Sequence, residues 1–332
     1  MDLPGQDLKR RDLRGGEDGP IRVGVSSCLL GSEVRFDGGH KRERYLTDVL
    51  ADHFEWFPVC PEVELGLGTP REPVQLERAN GGIRMRGVES QRDHTRAMRR
   101  LAAARLREIE RADLCGYILK SRSPSCGLER VRVYGPGGTA TKTGRGLFAE
   151  AVKNRLPNLP VEEEERLRDP EVRDNWIERV FAYRRLRTLF ADRPSRRRLA
   201  AFHAAHELQL RAHSPGHHRS LDRLIASGKK TPPGELRERY CREFMEALAR
   251  RATRRRHQSV LRRALGHLRG SLDASTSRQL RERVEAYGAG RVPLIVPITL
   301  LRHHVERLAI ERLAGQVYLD PDPRESMLRN RV

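Results

Sequence analysis

The chain has 332 residues, 65 Lys and Arg against 45 Asp and Glu, a formal net charge of +20, and five cysteines. That length holds about two domains with a sizeable core, and so few cysteines exclude a secreted disulfide scaffold. The opening MDLPGQDLKRRDLRGGEDGP lacks the apolar stretch of a signal peptide, and no uninterrupted apolar run reaches the roughly 18 residues of a membrane span, so a cytoplasmic protein with reduced thiols is expected.

Residues 1–20 are charged, Gly-rich and aperiodic, and read as a disordered tail. IRVGVSSCLLG then starts as a buried strand and turns at Ser-Ser-Cys. KRERYLTDVLADHF has helical spacing through Tyr45, Leu46, Val49, Leu50 and Phe54, and EWFPVC is a second short strand. ESQRDHTRAMRRLAAARLREIERA predicts a long amphipathic helix with Met98, Leu101, Ala102, Leu106 and Ile109 on one stripe. DLCGYILK is a third strand, and GRGLFAEAVKNRL a closing helix. Alternating strands and helices predict an α/β domain over residues 21–160, Rossmann-like with a mainly parallel sheet. After LPNLPVEEEERLRDP the texture changes. VRDNWIERVFAYRRLRTLF, SRRRLAAFHAAHELQLRAH, SLDRLIASG and GELRERYCREFMEALARRATRRRHQSVLRRALGHLRG predict helices, and SRQLRERVEAYGAG and PITLLRHHVERLAIERL add two more. Residues 161–332 are therefore expected to form an all-α C-terminal domain.

The charge is unevenly spread. Residues 1–160 carry 28 Lys and Arg against 22 Asp and Glu, residues 161–332 carry 37 against 23, and residues 181–270 carry 23 against 7. A field so one-sided attracts polyanions, which favours a nucleic-acid partner over an arginine-rich but inert surface. RRATRRRHQSVLRR, residues 250–263, holds seven arginines and no acid. On a helix Arg251, Arg254, Arg255 and Arg262 would share a face while Val260, Leu261 and Leu265 turn to the core. These four arginines are the expected RNA contacts. In FHAAHELQLRAHSPGHH, His203 and His206 lie three apart and His213, His217 and His218 follow. With no carboxylate or cysteine in a known ligand spacing, helix packing or RNA contact is preferred there over a metal.

Three cysteines, Cys28, Cys60 and Cys126, each follow a predicted strand. In parallel α/β sheets ligands collect at the carboxyl ends of strands, so the fold would bring these thiols together. Cys115 and Cys241 read as small core residues. Structural zinc favours four ligands in close pairs that this chain lacks, and a nucleophile needs one thiol and a base. Three thiolates can hold a [4Fe–4S] cluster with one iron open to substrate. Unrelated buried cysteines remain the plain alternative.

The segments VSSCLLG, VRFDGGHKR, FPVCPEVELGLGTPREPVQL and LKSRSPSCG, in that order, resemble the thiouracil/thiouridine desulfidases over roughly residues 21–160. RVFAYRRLRTLF, FHAAHELQLRAHSP, GRVPLIVPITLLRHHV and QVYLDPDP resemble the helical YbgA-like domain found fused to that module. The resemblance implies that Cys28, Cys60 and Cys126 hold a [4Fe–4S] cluster, and that the fused protein removes sulfur from 4-thiouridine in tRNA. An open-site iron suits a soft thiocarbonyl sulfur, polarising the C–S bond for attack by water. Glu62, Ser123 and Ser125 are the expected proton-handling groups, although Glu62 also suits a helix start and the serines also suit turn capping beside Pro124. Asp37 either binds substrate or shapes the Gly-Gly turn, and Lys120 and Arg71 either meet phosphate or cluster charge or lie on a solvated rim. GPGG and TGRG lack a Walker pattern, so no nucleotide cofactor is expected. The alternatives are turnover of free thiouracil or thionucleotides, and an RNA-binding iron–sulfur sensor without turnover. Oligomeric state is left open.

Overall fold

The computed structural model describes residues 19–79, 81–227 and 231–329, so all but the end of the expected tail lies outside the described residues. The chain divides into two compact units, Pro20–Trp176 and Ile177–Val332.

Eight strands build the first unit: β1 (Ile21–Ser26), β2 (Phe54–Val59), β3 (Val74–Ala79), β4 (Gly82–Gly87), β5 (Gly116–Leu119), β6 (Val131–Tyr134), β7 (Ala140–Gly144) and β8 (Val161–Glu163). One sheet has the order β2-β1-β5-β8, with every neighbouring pair parallel. β1 is its central strand. Ile21, Val23 and Val25 are fully buried on one face of the strand, and Gly24 and Ser26 are buried on the other. Gly24 is required where the Tyr117 ring of β5 lies against the backbone, because a Cβ there would overlap the ring.

A second sheet, β4-β3-β6-β7, was not expected from the sequence. It is mixed: β3 pairs antiparallel with β4 and parallel with β6, and β6 pairs antiparallel with β7. Its strands VQLERA, GIRMRG and ATKTG are mostly polar. Only a thin apolar line identifies the buried face, with Leu76 opposite both Met85 and Val133.

Helices α1 (Arg44–Asp48), α2 (Pro61–Glu64), α3 (Thr95–Arg111) and α4 (Leu147–Arg155) complete this unit. The helix expected over KRERYLTDVLADHF is shorter than its periodicity suggests. It breaks at Val49, and Phe54 opens β2, where its ring meets those of Trp56 and Trp176 edge-on. In α3, Met98, Ala102, Leu106 and Ile109 are buried as expected, with Leu101 at the margin of the stripe.

The second unit is helical: α5 (Pro170–Ala191, which contains the division), α6 (Arg196–Ala205), α7 (Glu207–His213), α8 (Pro215–Ser227), α9 (Pro233–Ala249), α10 (Arg254–Leu268), α11 (Ala274–Gly288), α12 (Ile295–Arg307) and α13 (Pro323–Arg329). Two apolar clusters hold it. Leu186, Phe202, Leu221, Tyr240 and Phe244 belong to one, and Leu208, Leu261, Leu268, Val284 and Leu301 to the other. The long stretch from GELRERY to GHLRG breaks at Arg250, and Thr253 caps the new start, its Oγ1 accepting from Arg256 N at 3.3 Å. Of the described residues, no helix is long and apolar enough to cross a membrane.

Candidate active site

β2, β1 and β5 are adjacent and parallel, so their carboxyl ends open on one edge of the sheet. β1 runs into a 3₁₀ turn, Ser27–Leu30, that carries Cys28 and ends at Gly31 with φ 96°. β2 ends at Cys60, the cap residue of α2, whose first helical position is Pro61. That placement fits proline, whose missing N–H has no helical partner there. β5 leads into the Lys120–Cys126 loop. Three cysteines from distant parts of the sequence line one cavity of about 590 Å³. None of the five cysteines forms a disulfide.

The Cys126 loop is fixed from two sides. Leu147 N and Phe148 N at the start of α4 donate to Pro124 O at 3.1 Å and Ser125 O at 3.0 Å. Gly146 permits that approach, since a Cβ there would meet the Ser125 carbonyl and the Cys126 nitrogen. On the other side Glu163 Oε1 accepts from Leu128 N at 2.7 Å.

Burial pushes the Cys28 thiol up to about 11, and the neighbouring Cys60 adds to the effect. Cys60 is raised chiefly by burial. Burial also takes Cys126 well above its ordinary value, with Glu62, Cys28 and Cys60 contributing and a hydrogen bond from Ser26 opposing. Ionising one thiol therefore makes the next harder to ionise. Such a donor set suits a soft, multiply charged centre, which deprotonates the thiols that coordinate it. The residues present fit an iron–sulfur cluster held by Cys28, Cys60 and Cys126.

Glu62, two residues after Cys60, lines this cavity. Its Oε2 accepts from Arg71 Nη2 at 2.6 Å and Nε at 3.2 Å, and its Oε1 accepts from Ser125 Oγ at 2.8 Å. Arg71 is itself anchored through Nη1 to Val34 O at 3.0 Å and Gly68 O at 2.8 Å. A buried guanidinium bonded to one carboxylate and two carbonyls has little freedom, so it fixes where Glu62 points. Ser123 lines the cavity, but its Oγ is engaged by Ser125 N at 3.2 Å and Cys126 N at 3.1 Å, closing the turn at Pro124. Asp37 lies on an exposed turn, outside the residues lining the cavity. Its Oδ1 accepts from Gly39 N at 3.2 Å, and that bond, with Arg35, holds the carboxyl below its usual range.

Sequence reasoning missed Glu164. Lys120 Nζ bonds its Oε1, and Ser121 N donates to its Oε2 at 2.7 Å. The available signal was the four-acid run Glu162–Glu165, which begins in β8, the strand beside β5. That adjacency puts Glu164 on the same edge as the Cys126 loop. Arg35, Lys41, Arg42, Arg122 and Arg168 also line the cavity, and four of them are balanced by acids, Arg35 by Asp37, Arg42 by Asp48, Arg122 by Glu165 and Arg168 by Glu43.

In the helical unit the expected arginine face changes at the helix break. Arg251 precedes α10, so a continuous helical wheel does not apply to it. Arg254 and Arg255 are exposed in the first turn, while Val260 and Leu261 are buried as expected. Arg262 is exposed but held by Glu285, with contacts of 2.9 and 2.7 Å.

Residues 23–164 match the 2-thiouracil desulfurase family, and residues 207–323 match a family described only as a protein of unknown function, DUF1722. The uncharacterized protein YbbK of Bacillus subtilis (strain 168) is 34% identical over 108 residues, covering 31% of this chain and 71% of YbbK. The chain belongs to the 2-thiouracil desulfurase family, and it joins that domain to a DUF1722 region.

The uncharacterized protein YbgA of Escherichia coli (strain K12) is 27% identical over 158 residues, 47% of this chain and 94% of YbgA. Among solved structures, the [4Fe-4S]-dependent thiouracil desulfidase TudS is similar at 31% identity and a TM-score of 0.37, over 45% of this chain and 94% of that one.

Proposed function

We propose that this chain is a non-redox desulfidase that converts 4-thiouridine in tRNA to uridine, using a [4Fe–4S] cluster held by Cys28, Cys60 and Cys126. The observation that carries the reading is the convergence of these three cysteines, with Glu62, on one cavity at the ends of three parallel strands. In the overall reaction the thiocarbonyl and one water become a carbonyl and hydrogen sulfide, with no change of oxidation state at the base. When bound, the cluster supplies a soft Lewis acid that polarises the C–S bond.

The remaining work falls to the chain. Glu62 accepts the proton of the attacking water, a role worth about 10²–10⁴-fold. Arg71 and Ser125 hold the carboxylate in position. Lys120, paired with Glu164, places a cation beside the cavity that can face developing negative charge on the leaving sulfur or the ring. A polynucleotide substrate is supported by the helical unit, where residues 181–270 carry 23 basic against 7 acidic side chains.

The family's description names 2-thiouracil, which favours a second reading, turnover of the free base. Incubating anaerobically purified protein with 4-thiouridine-bearing tRNA and, separately, with 2-thiouracil distinguishes the two. The tRNA reading expects loss of the thiouridine absorbance and one sulfide per base, at a kcat/KM well above that for the free base. Turnover of the free base alone would contradict it.

A further inference from the structure

The helical unit contains a second group of converging ligand atoms, well separated in sequence from the cysteines. His203 lies on α6, and His218 and Asp222 lie one turn apart on α8, so that one ring and one carboxylate share a helix face. The ligand atoms of all three lie within 4.8 Å of one another. His203 Nε2 is 3.0 Å from Asp222 Oδ1, and His218 Nδ1 is 3.0 Å from Asp222 Oδ2. The two imidazoles stack with ring centroids 5.4 Å apart.

Two details separate this group from an ordinary buried hydrogen-bond cluster. First, His218 Nδ1 is buried and makes no aligned hydrogen bond despite its closeness to Asp222. That leaves a buried ring nitrogen beside the carboxylate with its hydrogen-bonding capacity unused. Second, the other nitrogen of His203 is already occupied: Nδ1 is hydrogen-bonded to Tyr240 Oη at 3.2 Å. Without a metal, Nε2–H donates to Asp222 Oδ1 at 3.0 Å; a metal would take the place of that proton, and Tyr240 would then hold Nδ1–H as the supporting partner of a metal-bound histidine. Donor atoms about 2.0–2.1 Å from a tetrahedral ion are roughly 3.3 Å apart; the two 3.0 Å spacings, made to different oxygens of Asp222, are near that value, and an ion would draw the whole set together from within 4.8 Å. Burial lowers the pKa of both histidines, His218 to about 4, and so keeps them in the neutral form that ligates. Glu207, the other nearby acid, is committed to Arg211 and Arg263.

We propose that His203, His218 and Asp222 form a binding site for a divalent first-row metal ion, with Tyr240 as the supporting hydrogen-bond partner of His203 Nδ1. Two imidazoles and one carboxylate suit zinc or iron(II). Asp222 is half exposed, which leaves the solvent side for a water as further ligand.

The test uses Zn²⁺ on the full chain purified anaerobically, with equilibrium dialysis for stoichiometry and X-ray absorption at the zinc edge for the ligand shell. The expected result is one tight zinc per chain with a nitrogen and oxygen shell at about 2.0–2.1 Å. His218→Ala and Asp222→Asn should abolish that binding while leaving iron content unchanged. Tyr240→Phe should weaken it about 10–100-fold. Absence of tight zinc, or a sulfur shell at about 2.3 Å, in the parent protein overturns the proposal whether or not the variants fold. So does zinc retained undiminished by a folded Asp222→Asn variant.

Discussion

Two regions of this molecule bury ionisable groups and treat them in opposite ways. In the helical unit, Glu178 is enclosed with Arg329 Nη2 at 3.4 Å, His213 Nε2 at 3.1 Å and Gln209 Nε2 at 2.8 Å. Glu325 pairs with Arg185 at 2.9 Å. Burial works against the charge of Glu178, but Arg329 and His213 outweigh it and hold the carboxyl well below its usual range. In the α/β unit, burial raises Cys28, Cys60 and Cys126, and the neighbouring thiols raise Cys28 and Cys126 further. The first region carries its own countercharge within the fold. The second is arranged to receive its countercharge with a ligand, and that separates a structural network from a candidate cofactor site.

The largest expected effect falls on the thiols. Cys28→Ala, Cys60→Ala and Cys126→Ala should each lose iron and all measurable turnover, whereas Cys115→Ala and Cys241→Ala should keep both. Equal loss across all five variants would mean that the cysteines matter to folding alone. Glu62→Gln comes next, with turnover falling about 10²–10⁴-fold at unchanged iron content. Wild-type turnover in that variant would remove Glu62 from the chemistry.

On the other side of the comparison, Glu178→Gln should cost about 3–5 kcal/mol, since it leaves buried cations uncompensated. A depressed carboxyl contributes stability above its unfolded value, near 4.5, that is lost as the pH falls through the folded value. Denaturant titrations of the variant should therefore show a flatter loss of stability below about pH 4.5 than the parent. An unchanged acid slope would show that other carboxylates govern it.

A smaller effect is expected at the arginines. Reversing Arg251, Arg254 and Arg255 to Glu should weaken tRNA binding regardless of sequence and flatten its log–log salt slope by about 2–3, from the loss of three phosphate contacts. Turnover of free 4-thiouridine should survive. Unchanged tRNA affinity in the folded variant would move the RNA surface elsewhere. Smallest of all, Ser125→Ala removes one hydrogen bond to Glu62, worth about 1 kcal/mol, or roughly fivefold in turnover.

The cysteine edge was legible because three apolar strands each end in a cysteine beside turn residues, and a parallel sheet gathers strand ends. The second sheet was not, because a strand such as ATKTG has no buried face to read. Glu164 stayed hidden in an acidic run, since only the pairing of β8 with β5 carries it to the site. Asp222 was missed for a related reason: it joins His203 through the packing of α6 and α8, and sequence spacing links it only to His218. The arginine run misled where Thr253 offered a cap that helical periodicity alone did not weigh.

The account rests most directly on what the three thiols hold. The deciding measurement is iron and acid-labile sulfide per chain, after anaerobic purification and reconstitution with iron and sulfide. The expected result is about four of each per chain. Less than one iron per chain after reconstitution, with Cys28, Cys60 and Cys126 all open to alkylation in the folded protein, would contradict it.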